Sequence, residues 1–225
     1  FPEYLDHIRP KLGINVGALI GHSAIRLFVM GPESQEREAT QEEISKMCEI
    51  VREAMRAGAL GISSSYVDID ENGDPVPSRF AGFDEKVALA QAMGESGRGI
   101  WQVVPYFPDM KQQLDNIREL GDISLAANVP CSLQPVLSSP TSPNAEELIE
   151  ALEKEQARGA RVFGQTMPRC FDLNMRLSET SMLLYALPRW KKIMDLPREQ
   201  RLEQFKEQKS ELVSEMKDAK GMSGS

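Results

Sequence analysis

The sequence predicts an α/β fold: a partial (β/α)8 TIM barrel of about five consecutive strand–helix units plus a C-terminal helical segment. Three observations predict it. Short β-branched and apolar runs alternate with longer amphipathic runs, the pattern of a parallel sheet with helices outside. Three helix-to-strand joints are short glycine turns, at 57–59, 97–99 and 158–160. The loops after strands are long and polar, as at 66–83 and 137–143, and such loops build the site of a barrel. A doubly wound nucleotide-binding sheet would carry GxGxxG or GxxxxGK[ST], and the chain has neither.

The first apolar run, 14–20, reads as a strand. The stretch 40–59 reads as a helix, because Thr40 and Glu43 form a capping box and Ile44, Met47, Val51 and Met55 recur at helical spacing. Gly58 is placed to end it in a left-handed conformation. The pattern repeats with a strand at 59–65, a helix at 84–97 stopped by Gly94 and Gly97, a strand at 99–107 and a helix at 109–121. A strand at 129–136, a helix at 144–159 and a strand at 160–167 complete the series; Ser142 and Pro143 open that last helix as N-cap and first-turn residue. Residues 1–167 therefore read as the partial barrel and 168–225 as a helical extension of it. Prolines at 168, 188 and 197 break the Met-rich start of the extension, and a charged helix at 198–220 carries Leu202, Phe205, Leu212 and Met216 on one edge.

Composition removes several function classes. The 225 residues are 41% hydrophobic, enough for a sizeable core. A net charge of −8 without a Lys/Arg cluster argues against nucleic acid and anionic membranes as partners. No apolar run approaches a membrane span, and no signal peptide opens the chain. Cys48, Cys131 and Cys170 are far apart and odd in number, so the expectation is a cytoplasmic protein with core thiols. The missing initiator methionine and the small-residue tail lead us to expect an internal fragment.

The strings "VGALIGHSAIRLFVMG", "REATQEEISKMCEIVREAMRAGALGISSS" and "VPSRFAGFDEKVALAQAMGESGRGIWQVV" resemble the middle of the N-acyl-D-amino-acid deacylases (D-aminoacylases) of the amidohydrolase superfamily. The resemblance runs from about residue 1 to 200. It implies a (β/α)8 barrel and zinc-dependent hydrolysis of the amide bond of N-acyl amino acids or similar carboxylated small molecules. A zinc ion lowers the pKa of its bound water and polarises the carbonyl. The family's HxH, nearby cysteine and final aspartate would lie outside this chain. Its two central histidines would fall near the ends of strands 99–107 and 129–136, where Val104 or Pro105 and Gln134 or Pro135 stand. None is a good zinc ligand, so no metal ligand is assigned here and the isolated chain is expected to be inactive without zinc. The alternative is a non-catalytic barrel-like binding or scaffold protein. A metal-free barrel lyase would want an inward lysine on a strand, and the strands contain none.

Candidate substrate-binding or supporting residues follow. His22, one of two histidines, ends the first strand with Arg26 four residues on, and either contacts substrate, supports a metal ligand or bonds a loop carbonyl. Alternation sends Ser63 and Ser65 inward and Ser64 outward. A Ser-His-Asp hydrolase is disfavoured for want of a paired base. Gln102, Gln134 and Gln165 interrupt three consecutive apolar strands and would floor a polar chamber, unless they point outward or bond one another. Arg79 and Arg169 are candidates for a substrate carboxylate, or structural arginines. The acidic run from Asp68 through Asp70 to Asp74 resembles a calcium loop only in density. An open partial barrel also exposes strand edges, through which self-association is expected.

Overall fold

The computed structural model describes residues 1–106, 109–136, 145–168, 176–177, 184 and 187–218. Among these residues five parallel strands form one sheet in the order β1-β2-β3-β4-β5. They are β1 (Ile20–Gly21), β2 (Gly61–Ser65), β3 (Ile100–Val104), β4 (Cys131–Leu133) and β5 (Val162–Gly164). Helices α1 (Pro2–Ile8), α2 (His22–Met30) and α3 (Gln41–Ala57) occupy the first part of the chain. Then α4 (Phe83–Gly94), α5 (Met110–Ala127) and α6 (Ala145–Ala157) alternate with the strands. The strand order follows the chain without reversal. A doubly wound sheet reverses at a switch point, so this order defines a partial (β/α) barrel, as the sequence predicts.

The register shows how the core is built. Ile20, Ile62, Trp101, Cys131 and Val162 are neighbours across all five strands. Each is at most 6% exposed, and α3 to α6 cover them with Met47, Val51, Met55, Leu89, Met93, Ile117, Leu120 and Leu148. Burying a side chain of this size contributes about 1.5–3 kcal/mol. The alternate row, Ser63, Gln102, Ser132 and Phe163, points to the other face, which becomes the barrel interior.

The capping box of α3 is present, with the Glu43 N–H donating to Thr40 Oγ1 at 3.3 Å and the Thr40 N–H donating to Glu43 Oε2 at 2.7 Å. Gly58 closes the helix at φ 115°, ψ 15°. The α5 helix runs on to Ala127, past the expected stop at 121. Gly121 lies inside it because the Glu155 carboxylate of α6 presses there: a Cβ would meet Glu155 Oε2 at 2.1 Å. That glycine allows close packing, not a turn.

Four expectations are corrected. The run 14–20 is strand only at Ile20–Gly21; Ile14 and Val16 are exposed, and the Leu60 N–H to the Ala18 carbonyl is the link that joins this run to the start of β2. The later strands are shorter than 99–107, 129–136 and 160–167, because the pairing with their neighbours is confined to Ile100–Val104, Cys131–Leu133 and Val162–Gly164. The charged helix 198–220 is two helices, α8 (Arg198–Glu207) and α9 (Lys209–Asp218), broken at Gln208. The α2 helix was not expected: its buried stripe is His22, Ile25, Arg26 and Met30, half of it polar, so apolar periodicity misses it.

With α7 (Pro188–Met194), α8 and α9 form a small second cluster around Leu187, Trp190, Ile193, Met194 and Leu212, with Phe205 and Met216 packed on it. The Trp190 indole N–H donates to the Leu212 carbonyl at 3.3 Å. Ser142, Pro143, Arg169 and Cys170 lie outside the described residues.

Candidate functional site

The interior face of the strands collects most of the predicted site residues. Ser63 and Gln102 are direct register partners on β2 and β3, and Gln102 faces Ser132 on β4. Ser63 is exposed and Gln102 half-buried. Gln165, beyond β5, donates its Nε2 to Ser132 Oγ at 3.0 Å, and its backbone N–H extends the ladder to the Leu133 carbonyl. Gln134 follows β4 and is half-buried, and its N–H bonds the Val103 carbonyl. Alternation puts Gln134 and Gln165 on the same face as Gln102. The result is a row of hydroxyl and amide groups across β2 to β5, able to hydrogen-bond a polar substrate but with no group to activate water.

Ser65 has a different task. Its Oγ accepts from the Val67 and Asp68 N–H groups at 3.3 and 3.0 Å, a turn that starts the long loop. Its carbonyl accepts from Ser78 Oγ at 2.8 Å. The acidic loop is capped by itself: Asp70 Oδ1 accepts from the Asn72 and Asp74 N–H groups at 2.8 and 3.0 Å, and Gln35 Nε2 donates to Asp70 Oδ2 at 3.0 Å. The Gln35 bond and these backbone donors hold the Asp70 carboxyl below its usual range.

His22 is not at the barrel mouth. It is the first residue of α2, 0% exposed, on the helix side of the sheet. Its Nδ1 lies 2.9 Å from Ser64 Oγ and its Nε2 lies 2.8 Å from Glu85 Oε1 on α4. The Trp101 ring meets it edge-on at 5.4 Å. Glu85 also accepts from Arg26 Nη1. Arg26 Nη2 donates to the carbonyls of Ser34 at 3.2 Å and Arg37 at 2.8 Å. The charges set the tautomer. Ionised Glu85 only accepts, so His22 donates from Nε2, Nδ1 accepts, and Ser64 donates. Burial pushes the His22 pKa down, against the opposing pull of Glu85. Burial pushes Glu85 up, but the bonds and charges of His22 and Arg26 together outweigh it and leave it lowered. Ser64, His22 and Glu85 share the residue types of a hydrolytic triad, yet all three are buried, the serine at 5% and the histidine at 0% exposure. Sequence reading missed Glu85; its one signal was a carboxylate in the first turn of a helix facing a histidine and an arginine spaced i, i+4.

Arg79 stands apart from the glutamine row. It lines a cavity of about 550 Å³ at the strand C-termini, between α4 and α5, which Gln102, Gln134 and Gln165 do not border. No group of three His, Cys, Asp or Glu side chains that could hold a metal occurs among the described residues. Burial pushes the Cys131 thiol up to about 12, which suits core packing and not nucleophilic attack. No helix among the described residues is long and apolar enough to cross a membrane.

Comparison with known proteins finds the same barrel fold in solved structures, and short matching stretches in curated sequences. A solved D-aminoacylase, described as defining a novel subset of amidohydrolases, superimposes with a TM-score of 0.63 at 23% identity, covering 75% of this chain and 34% of that one. An N-acyl-D-glutamate deacylase from Bordetella bronchiseptica, solved with zinc and a phosphonate inhibitor, superimposes with a TM-score of 0.61 at 20% identity over the same shares. In sequence, the chain is 45% identical over 65 residues to a D-aminoacylase of Alcaligenes xylosoxydans xylosoxydans, 28% of this chain and 13% of that protein. It is 35% identical over 106 residues to an uncharacterized protein of Mycobacterium tuberculosis, of which it spans 17%. No protein-family profile matches the chain.

Proposed function

We propose that this chain forms part of the wall of a metal-dependent amidohydrolase of the D-aminoacylase kind. The reaction is hydrolysis of the amide bond of N-acyl amino acids or similar carboxylated amides. The observation that carries this reading is the coincidence of the barrel match with a polar row, Ser63, Gln102, Ser132 and Gln165, on the interior strand face.

The described residues do not fit a zinc centre. Val104 ends β3 and Gln134 follows β4, and neither position offers an imidazole. Zinc therefore has to be held by residues other than those described, and the 225-residue chain by itself is inactive. Two measurements test this. Metal analysis of the purified chain is expected to find no stoichiometric zinc, and assays with N-acetyl-D-amino acids are expected to find no amine release. One zinc per chain together with turnover would overturn the division of labour. The natural gene product is expected to do both; if it does neither, the hydrolase reading fails.

The residues at Val104 and Gln134 also favour a second reading, a cytoplasmic barrel-like binding protein that has lost its ligands. Metal-free binding of an N-acyl amino acid by the natural gene product, without turnover, would select it. In either case the outer edges of β1 and β5 pair with no other strand among the described residues, and the chain self-associates through them. A sharp monomer boundary in sedimentation velocity would contradict this.

A further inference from the structure

One stripe of α5, beside Lys86 of α4, is polar. Gln112, Asp115, Asn116 and Glu119 follow the i, i+3, i+4, i+7 spacing of one helix stripe. A helix packed against its neighbour presents apolar groups there. Here the stripe borders the cavity of about 550 Å³, within the size range of small-molecule sites.

Its charged groups are not equivalent. Lys86, 8% exposed, donates Nζ to Glu119 at 2.7 Å and lies 4.4 Å over the Tyr66 ring, so these two charges satisfy each other. Arg79 is fixed by its Nη1 bonds to the Val67 and Asp68 carbonyls at 3.2 and 3.4 Å, with the Tyr106 ring 5.8 Å from its guanidinium carbon. Its Nε and Nη2 have no partner among the described residues. Asn116 Oδ1 accepts from the Tyr106 N–H at 2.9 Å, which leaves its amide N–H groups as donors without a described partner. Asp115, exposed at the cavity's rim, makes no ion pair among the described residues. The Tyr66 side chain, 8% exposed, is a wall of the cavity. The cavity is thus lined by one oriented guanidinium edge, one exposed carboxylate and two tyrosine side chains.

We propose that this rim cavity binds a small zwitterion, a free amino acid, with its carboxylate on Arg79 and Asn116 and its ammonium on Asp115. A planar guanidinium edge matches a carboxylate in a way an ammonium does not. An N-acylated amino acid has no ammonium and leaves Asp115 unpaired, so the site prefers the free amino acid. The cavity lies on the helix side of the strands, and this inference does not rest on the hydrolase reading.

The test is calorimetric titration of the purified chain with phenylalanine of either hand, N-acetylphenylalanine and 2-phenylethylamine. Phenylalanine is expected to bind saturably at one per chain, and the two one-charge analogues about tenfold more weakly or worse. Asp115→Asn is expected to abolish the preference for phenylalanine over its N-acetyl derivative, and Arg79→Lys to weaken phenylalanine about tenfold, with melting temperatures unchanged in Asp115→Asn. Absence of saturable phenylalanine binding overturns the proposal. So does equal binding of the free and acetylated forms, or a preference that survives Asp115→Asn. No readout requires turnover, so a failed hydrolysis assay leaves this result standing.

Discussion

The two faces of one sheet have been given opposite tasks. On the helix side, Ile62, Trp101, Cys131 and Val162 are each 0% exposed. On the interior side, their neighbours one residue along are Ser63, Gln102, Ser132 and Phe163, of which Ser63 is exposed and Phe163 is 49% exposed. Adjacent residues thus differ in polarity on β2, β3 and β4 and in exposure on β2, β3 and β5, while Ser132 is only 2% exposed. The difference teaches where stability is stored and where chemistry has room. The helix side also holds the buried charges of Arg26 and Glu85, a costly choice that an apolar core avoids.

The comparison can be broken most sharply by truncation on each face. Trp101→Ala is expected to cost about 3–5 kcal/mol, the usual penalty for a large core aromatic. Phe163→Ala on the other face is expected to cost less than about 1 kcal/mol. Urea unfolding midpoints measure both, and equal losses would refute the division. Glu85→Ala belongs with the large effects. Stranding the Arg26 guanidinium is expected to cost about 3–5 kcal/mol, while replacing Arg26 and Glu85 together by Met and Leu recovers most of it.

The same cluster sets the acid side of the stability profile. His22 and Glu85 both have lowered pKa values in the fold. The unfolded chain therefore takes up protons first, and stability falls as pH drops below the ordinary histidine value of 6.5, then again below the ordinary carboxylate value of 4.5. Midpoints measured from pH 8 to pH 4 should show this, and His22→Gln should flatten the part between pH 7 and 5. Rising stability on acidification would contradict the buried neutral histidine. A smaller effect comes from the edge of the layer: Gly61→Ala is expected to cost more than about 1 kcal/mol, because the backbone is at φ 146° and a Cβ would meet the Ile100 carbonyl oxygen at 2.0 Å. The smallest is Thr40→Ala, at about 1 kcal/mol for one lost cap.

What the sequence disclosed follows the same division. Apolar periodicity located α3 to α6 and the centres of β2 to β5, because those elements are made by burial against one another. Alternation placed Ser63 and Ser64 on opposite faces. It failed at α2, where two of the four buried positions are His22 and Arg26. A buried polar group is legible only with its partner, and Glu85 lies 59 residues beyond Arg26. The glutamines stood out in the sequence as polar breaks in apolar strands, with their direction left open; the separation of Arg79 from them was not legible, since a long loop hides which side of a strand its far end reaches. The α4–α5 cavity was invisible for a related reason: a polar helical stripe in a sequence looks like a solvated face.

The His22–Glu85–Arg26 contact also chooses among arrangements. Apolar side chains of α2 are not choosy about partners: turning the helix by a residue, about 100°, would find other methyl groups to touch. The polar atoms are not interchangeable. One carboxylate receives two donors from positions four apart on α2, while the histidine's second nitrogen reaches Ser64 on the strand. A rotated helix would bury a guanidinium and a carboxylate apart. The cluster therefore acts as a key that fixes the angular setting of α2, and through Ser64 it ties that setting to the strand whose adjacent serine opens onto the barrel interior.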